Sequence, residues 1–86
     1  MDSSRVRIVL QMADRTRRAS VTVPRNMQVS EVIKASRGKW RLSFGMDFQI
    51  VNLSTNRQLS PLDLLTADKV SNGDVLMLQP LPTHGV

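Results

Sequence analysis

Residues 29 to 40 read Val29-Ser30-Glu31-Val32-Ile33-Lys34-Ala35-Ser36-Arg37-Gly38-Lys39-Trp40. Val29, Val32, Ile33, Ser36 and Trp40 fall at the i, i+3, i+4, i+7 and i+11 positions of one helical face, so the spacing predicts an amphipathic helix. Gln28 or Asn26 stands near its start, and Glu31 lies in the first turn, where a carboxylate complements the helix dipole. Two signals compete for its end. Gly38 could supply a left-handed residue after Arg37, or the helix could run to about Leu42 so that Trp40 also packs on a sheet; we take the longer version. Every other stretch is short and alternating. One helix must therefore cover one face of a small sheet, because such a sheet cannot bury its apolar face alone.

Upstream, Val6, Ile8, Leu10 and Met12 alternate with Arg5, Arg7, Val9 and Gln11 at the two-residue period of a half-buried strand. Ala13 to Arg18 is polar and reads as a hairpin loop. Ala19, Val21 and Val23 then alternate with Ser20 and Thr22 in a second strand that Pro24 ends.

Downstream, Phe44 to Asp47 turns the chain, and Phe48 and Ile50 alternate with Gln49 and Val51 in a third strand. Ser54 to Asn56 is a turn, and Arg57 to Leu59 a short fourth strand. After Ser60, Pro61 and Asp63 comes a leucine-rich loop in which Leu62, Leu64, Leu65 and Val70 are expected to plug the core. Leu65 to Lys69 has room for one helical turn. Ser71 to Asp74 is a turn, and Val75 to Leu78 a continuous apolar run that reads as a central strand. A hairpin and a last strand flanking one crossover helix place the first and last strands parallel and adjacent in a mixed sheet. The expected class is α+β: a β-grasp roll with a mixed four- to five-stranded sheet and one crossover helix.

The 86 residues suffice for one domain with one modest core. Cysteine is absent, which removes disulfides, thiolate metal sites and a cysteine nucleophile, and fits a reducing compartment. No apolar run approaches the roughly 20 residues that cross a bilayer, and Met1 to Arg5 is polar, so the expectation is a cytoplasmic protein without membrane insertion. The net charge of +5 is concentrated before the helix, in Arg5, Arg7, Arg15, Arg17, Arg18 and Arg25. Such a basic hairpin could meet an acidic partner, a phosphate backbone or an anionic membrane surface, although charged hairpins are more often only solvated. Only Trp40, Phe44 and Phe48 are aromatic, too few for stacking on single strands, so nucleic acid ranks low among partners.

His84 is the only histidine, so no Ser-His-Asp arrangement or histidine metal site can be assembled. The carboxylates fall mostly in turns and at the helix start, where local backbone reasons explain them. No glycine belongs to a phosphate-cradling motif. The expectation is a non-enzymatic chain without cofactor or metal.

Over most of its length, from about Arg5 to Gln79, the sequence resembles the ubiquitin-like β-grasp superfamily. The resemblance is carried by Val21-Thr22-Val23-Pro24 leading into the helix, by Gln49-Ile50-Val51 through Arg57-Gln58-Leu59, and by Leu65-Thr66-Ala67-Asp68-Lys69-Val70-Ser71-Asn72-Gly73-Asp74. Within it, the chain is most similar to the bacterial YukD/EsaB-like branch, where an Asn-Gly-Asp turn precedes the last strand. The resemblance sets the phase of the last strand, with Leu76 and Leu78 toward the helix and Val75 and Met77 outward. It implies a partner-binding sheet face of Val9, Val51, Val75 and Met77 edged by Arg7 and Gln49. The alternative is ordinary scattered surface apolarity.

Residues 1–79 would form this domain and 80–86 an extended tail, Gln79-Pro80-Leu81-Pro82-Thr83-His84-Gly85-Val86 being kept out of the sheet by its prolines. Modifiers of the superfamily end in Gly-Gly, whereas this chain has His84-Gly85-Val86. Removal of Val86 would leave Gly85 as a single conjugating glycine. Three functions follow as expectations. The first is a ubiquitin-like interaction protein, in its sharper form a bacterial modifier served by activating and conjugating enzymes and a processing protease. The second, implied by the YukD/EsaB resemblance, is an accessory bound to subunits of a type VII secretion system. The third is a basic nucleic-acid binder. The free chain is expected to be a monomer.

Overall fold

The computed structural model describes residues 4–42 and 45–81. The elements run β1 (Arg5–Met12), β2 (Arg18–Pro24), α1 (Val29–Trp40), β3 (Phe48–Asn52), β4 (Arg57–Leu59) and β5 (Val75–Pro80). They form a five-stranded sheet of order β2-β1-β5-β3-β4. β1 and β5 are parallel neighbours at its centre, and β1–β2, β3–β4 and β3–β5 are antiparallel.

The alternation in β1 does what its period requires. Val6, Ile8, Leu10 and Met12 are buried under α1, and Arg5, Arg7, Val9 and Gln11 point to the other face. Val29, Val32, Ile33 and Ser36 form the buried stripe of α1. Ser36 is accommodated there because its hydroxyl donates to the Val32 carbonyl at 2.9 Å. Phe48, Ile50, Leu59, Leu65, Val70, Leu76 and Leu78 complete the core, and Val21, Val23 and Trp40 pack on its rim.

α1 ends at Trp40, two residues short of the Leu42 expected. Arg41 adopts a left-handed conformation (φ 52°, ψ 48°), and the Leu42 N–H turns back to the Arg37 carbonyl at 3.0 Å. Gly38 sits inside the helix, so the stop is made by a non-glycine residue. Gln28 occupies the N-cap without capping through its side chain. The leucine-rich loop supplies the caps instead: the Val29 and Ser30 N–H groups donate to the carbonyls of Asp63 and Pro61, both at 2.9 Å.

That task exposes two of the four expected core plugs. Leu65 and Val70 are buried, but Leu62 is 75% exposed and Leu64 40%. Leu62 lies in the tight turn closed by the Asp63 N–H on the Ser60 carbonyl, and Leu64 is held in a bridge to Gln28, so both point away from the core. The expected single helical turn in this loop is closed by the Lys69 and Val70 N–H groups, both donating to the Thr66 carbonyl at 2.9 Å, and it is not continued into a helix.

The last strand reaches beyond the expected boundary. Pro80 pairs with Phe48, and the Leu81 N–H donates to the Asp47 carbonyl at 2.9 Å. This bond makes Phe48–Pro80 a non-hydrogen-bonded pair, so the N–H that proline lacks is not required by β3. The partner on the other side has already ended, with Ala13 donating to the Leu78 carbonyl.

Three loop carboxylates, the exposed Asp14 and Asp68 and the half-buried Asp63, have depressed pKa values. Asp63 accepts from Lys69 Nζ and the Ser60 N–H, both at 2.9 Å, while Asp14 and Asp68 are held down first by the hydroxyls of Thr16 and Thr66. A carboxyl with a lower pKa folded than unfolded contributes stability above its unfolded pKa and loses it as pH falls through the folded one. Thermal melts should therefore show Tm dropping below about pH 4. Asp63→Asn should flatten part of that drop.

Candidate functional site

The face of the sheet opposite α1 gathers most of the residues singled out in the sequence. Val9 lies beside Val75 in the β1–β5 ladder, and Val51 beside Met77 in the β3–β5 ladder. All four are half-buried, because neighbouring side chains shield them although no helix covers them. Adjacent strands stand about 4.8 Å apart, so the four make one contiguous apolar patch spanning the three central strands. Arg7 and Gln49 lie at its margins on β1 and β3.

Leu53 belongs to the same face and was missed. It follows β3, its N–H donates to the Val75 carbonyl at 2.8 Å, and it lines a shallow groove with Gln11, Arg15, Arg18, Ser54 and Val75. Its side chain is 43% exposed. The period that runs Gln49, Val51 already pointed to it; the turn signal at Ser54 hid that continuation.

The β4 side of the patch is closed by a glutamine ladder. Gln58 donates to Gln49 at 2.7 Å, and Gln49 donates to Gln79 at 3.0 Å. These two bonds link the three uncharged amides across β4, β3 and β5 and leave that margin neutral.

The basic residues are not brought together. Arg5 and Arg25 sit at one end of the β1–β2 hairpin, Arg15, Arg17 and Arg18 at the other, about 20 Å away at 3.3 Å per residue. Arg25 reaches under the leucine-rich loop and donates to the carbonyls of Leu65 at 3.0 Å and Val70 at 2.9 Å. Arg17 donates to the Trp40 carbonyl, a cation at the C-terminal end of α1. These two guanidiniums hold the fold. Arg25→Ala should cost about 1–2 kcal/mol in urea melts by orphaning two carbonyls, whereas Arg18→Ala should change stability little.

At the far side of α1, Arg37 lies 5.7 Å from the Phe48 ring centroid and 3.7 Å from Asp47, and donates to the Met46 carbonyl. No three His, Cys, Asp or Glu side chains converge among the described residues. No helix among them is long and apolar enough to cross a membrane. His84, Gly85 and Val86 lie outside the described residues.

No protein-family model matches the sequence, and no curated protein matches it. Solved structures do match. The ubiquitin of Caldiarchaeum subterraneum is similar with a TM-score of 0.74 at 18% identity, over 94% of this chain and 99% of that one. A protein designed on the basis of ubiquitin gives 0.74 at 17% identity, over 96% and 98%. The C-terminal ubiquitin-like domain of mouse tubulin-specific chaperone e gives 0.70 at 15% identity, over 99% and 96%. With this strand order and crossover helix, the chain has the ubiquitin-like β-grasp fold.

Proposed function

We propose that this chain is a non-enzymatic ubiquitin-like interaction module that binds other proteins through the outer face of its sheet. The observation that carries the reading is the register that sets Val9 beside Val75 and Val51 beside Met77, with Leu53 at the corner, on a face that α1 leaves open. A contiguous apolar patch of this kind marks a contact surface more often than single exposed side chains do. The fold supports the class, since ubiquitin-like folds serve many partners through sites placed on one scaffold.

A photo-crosslinking residue placed at Met77, in the protein expressed in its native host, should yield adducts with a partner protein. The same residue at Glu31, on the exposed side of α1, should yield none of them. Equal labelling from both positions would remove the face as the binding surface.

Two finer forms share that face. In the modifier form, Val86 is removed and Gly85 is joined to a target, so the intact mass of the host-purified protein would show trimmed and conjugated species, and Gly85→Ala would abolish the adducts. In the secretion-accessory form, for which the Asn72-Gly73-Asp74 turn before the last strand speaks, the chain works untrimmed and Gly85→Ala is silent.

A further inference from the structure

Asn72-Gly73, just before β5, is the chain's one asparagine followed by glycine; Asn26, Asn52 and Asn56 precede Met27, Leu53 and Arg57. The pair stands where the β1–β5 ladder runs out. The even residues of β1 turn their backbone groups to β2, an alternation set by the Met12 N–H on the Arg17 carbonyl and the Arg25 N–H on the Ser4 carbonyl. Arg7 and Val9 therefore face β5. Val9 finds a backbone partner there, its N–H donating to the Asp74 carbonyl at 2.9 Å. Arg7 lies before the pairing with β5 begins. Its N–H donates to Asn72 Oδ1 and its carbonyl accepts from the Gly73 N–H, both at 2.8 Å. An asparagine side chain thus stands in for a strand carbonyl. Gly73 has φ 89°, a conformation that a side chain would strain.

The two groups held on Arg7 are also the two that react in deamidation. The Gly73 nitrogen, losing its proton to hydroxide, attacks Asn72 Cγ. The new C–N bond closes a succinimide ring as the Cγ–Nδ2 bond breaks, and ammonia leaves with a proton from water. Water then opens the ring at either carbonyl, giving aspartate or isoaspartate at position 72. In the closed turn the Arg7 carbonyl keeps the proton on the Gly73 nitrogen, and the Arg7 N–H keeps the Asn72 side chain away from it. The turn is anchored by Asp74, whose carboxylate accepts from the Ser71 N–H at 2.8 Å and the Asn52 amide at 2.9 Å. Asn72 and Gly73 are themselves exposed, and exposed backbone bonds open locally while a core stays folded. We propose that Asn72 is a deamidation site gated by the turn of residues 71–74: closed on Arg7 it is protected, and it reacts when the turn lifts from β1. The products differ in their effect on the sheet. Aspartate keeps an oxygen for the Arg7 N–H. Isoaspartate adds a carbon to the main chain ahead of Gly73, which draws the Gly73 N–H off the Arg7 carbonyl and disturbs the start of the β1–β5 pairing.

The test incubates the whole chain and a synthetic peptide of residues 69–76, which has no Arg7 to hold it, in the same mildly alkaline buffer. Peptide mapping by high-resolution mass reads the exchange of NH2 for OH at position 72, and an isoaspartate-specific carboxyl methyltransferase reads the isomer. The whole chain should deamidate there at least about tenfold more slowly than the peptide, because two hydrogen bonds must open first. Equal rates would overturn the gate. Asp74→Ala removes the anchor, leaves Asn72-Gly73 in place, and should bring the rate to within about threefold of the peptide's. Leu59→Ala, on β4 at the far edge of the sheet, should lower the urea midpoint and leave the rate unchanged. Equal acceleration by the two variants would mean that only global unfolding exposes the site, which overturns the local gate. If Asp74→Ala does not fold, hydrogen exchange in the unaltered chain decides. The Gly73 amide should show at least about tenfold less protection than the amides of β3, and equal protection would overturn the gate.

Discussion

Leu76→Ala should cost about 2–5 kcal/mol, a large part of what holds a small domain folded. Leu76 is fully buried on β5, flanked by Leu10 in the parallel ladder and Asn52 in the antiparallel one. Removing its side chain opens a cavity at the centre of the sheet, where backbone pairing on both sides resists collapse. Urea unfolding followed by circular dichroism should show the lower midpoint with an unchanged slope. Leu76→Met conserves volume and should lose less than about 1.5 kcal/mol. If the two variants lost the same amount, burial at this position would not be what stabilises the sheet.

Asn52→Ala should cost about 2–4 kcal/mol, although it removes few atoms. Asn52 is fully buried at the end of β3. Its amide donates to the Lys69 carbonyl at 3.1 Å and to the Asp74 carboxylate at 2.9 Å, and its oxygen accepts from the Ser54 N–H at 3.0 Å. One side chain thus joins the β3–β4 turn, the leucine-rich loop and the turn before β5. Alanine leaves a carbonyl and a backbone N–H without those partners, and Asp74 keeps only the Ser71 N–H at 2.8 Å. Hydrogen exchange should report the loss first at Ser54 and Val70. A loss below about 1 kcal/mol would mean that water replaces the amide.

The parts of this fold legible in the sequence are those where one period governs a whole segment. Val6, Ile8, Leu10 and Met12 set one face of β1 without ambiguity, and Val29, Val32, Ile33 and Ser36 do the same for α1. The phase of β5 could not be read from its own residues, because Val75-Leu76-Met77-Leu78 is apolar on both faces; resemblance to the superfamily supplied it, and the register agrees. The loop from Ser60 to Val70 was only half legible. Burial there depends on which carbonyls cap α1, a tertiary arrangement that composition does not encode, so Leu62 and Leu64 resembled Leu65. Arg25 illustrates the same limit for charge: its neighbours in sequence are basic, but its partners are the distant carbonyls of Leu65 and Val70. Of the apolar outer face, Val9 and Val51 follow the alternation of β1 and β3, whereas Val75 and Met77 were placed only by the resemblance.

The parallel β1–β5 pair also governs the order of events during synthesis. The two central strands come from opposite ends of the domain, and β5 is the last to be made. Until it leaves the ribosome, the first hairpin and the β3–β4 hairpin have no strand to join them. Val6, Ile8 and Leu10 on one side and Ile50 on the other then wait with unpaired edges and uncovered apolar faces. Such a topology closes its core only once β5 is available, and its long loop closure sets a slower pace than local pairing would. Truncation within β5 would leave two hairpins and a helix with no common core, a species prone to aggregation.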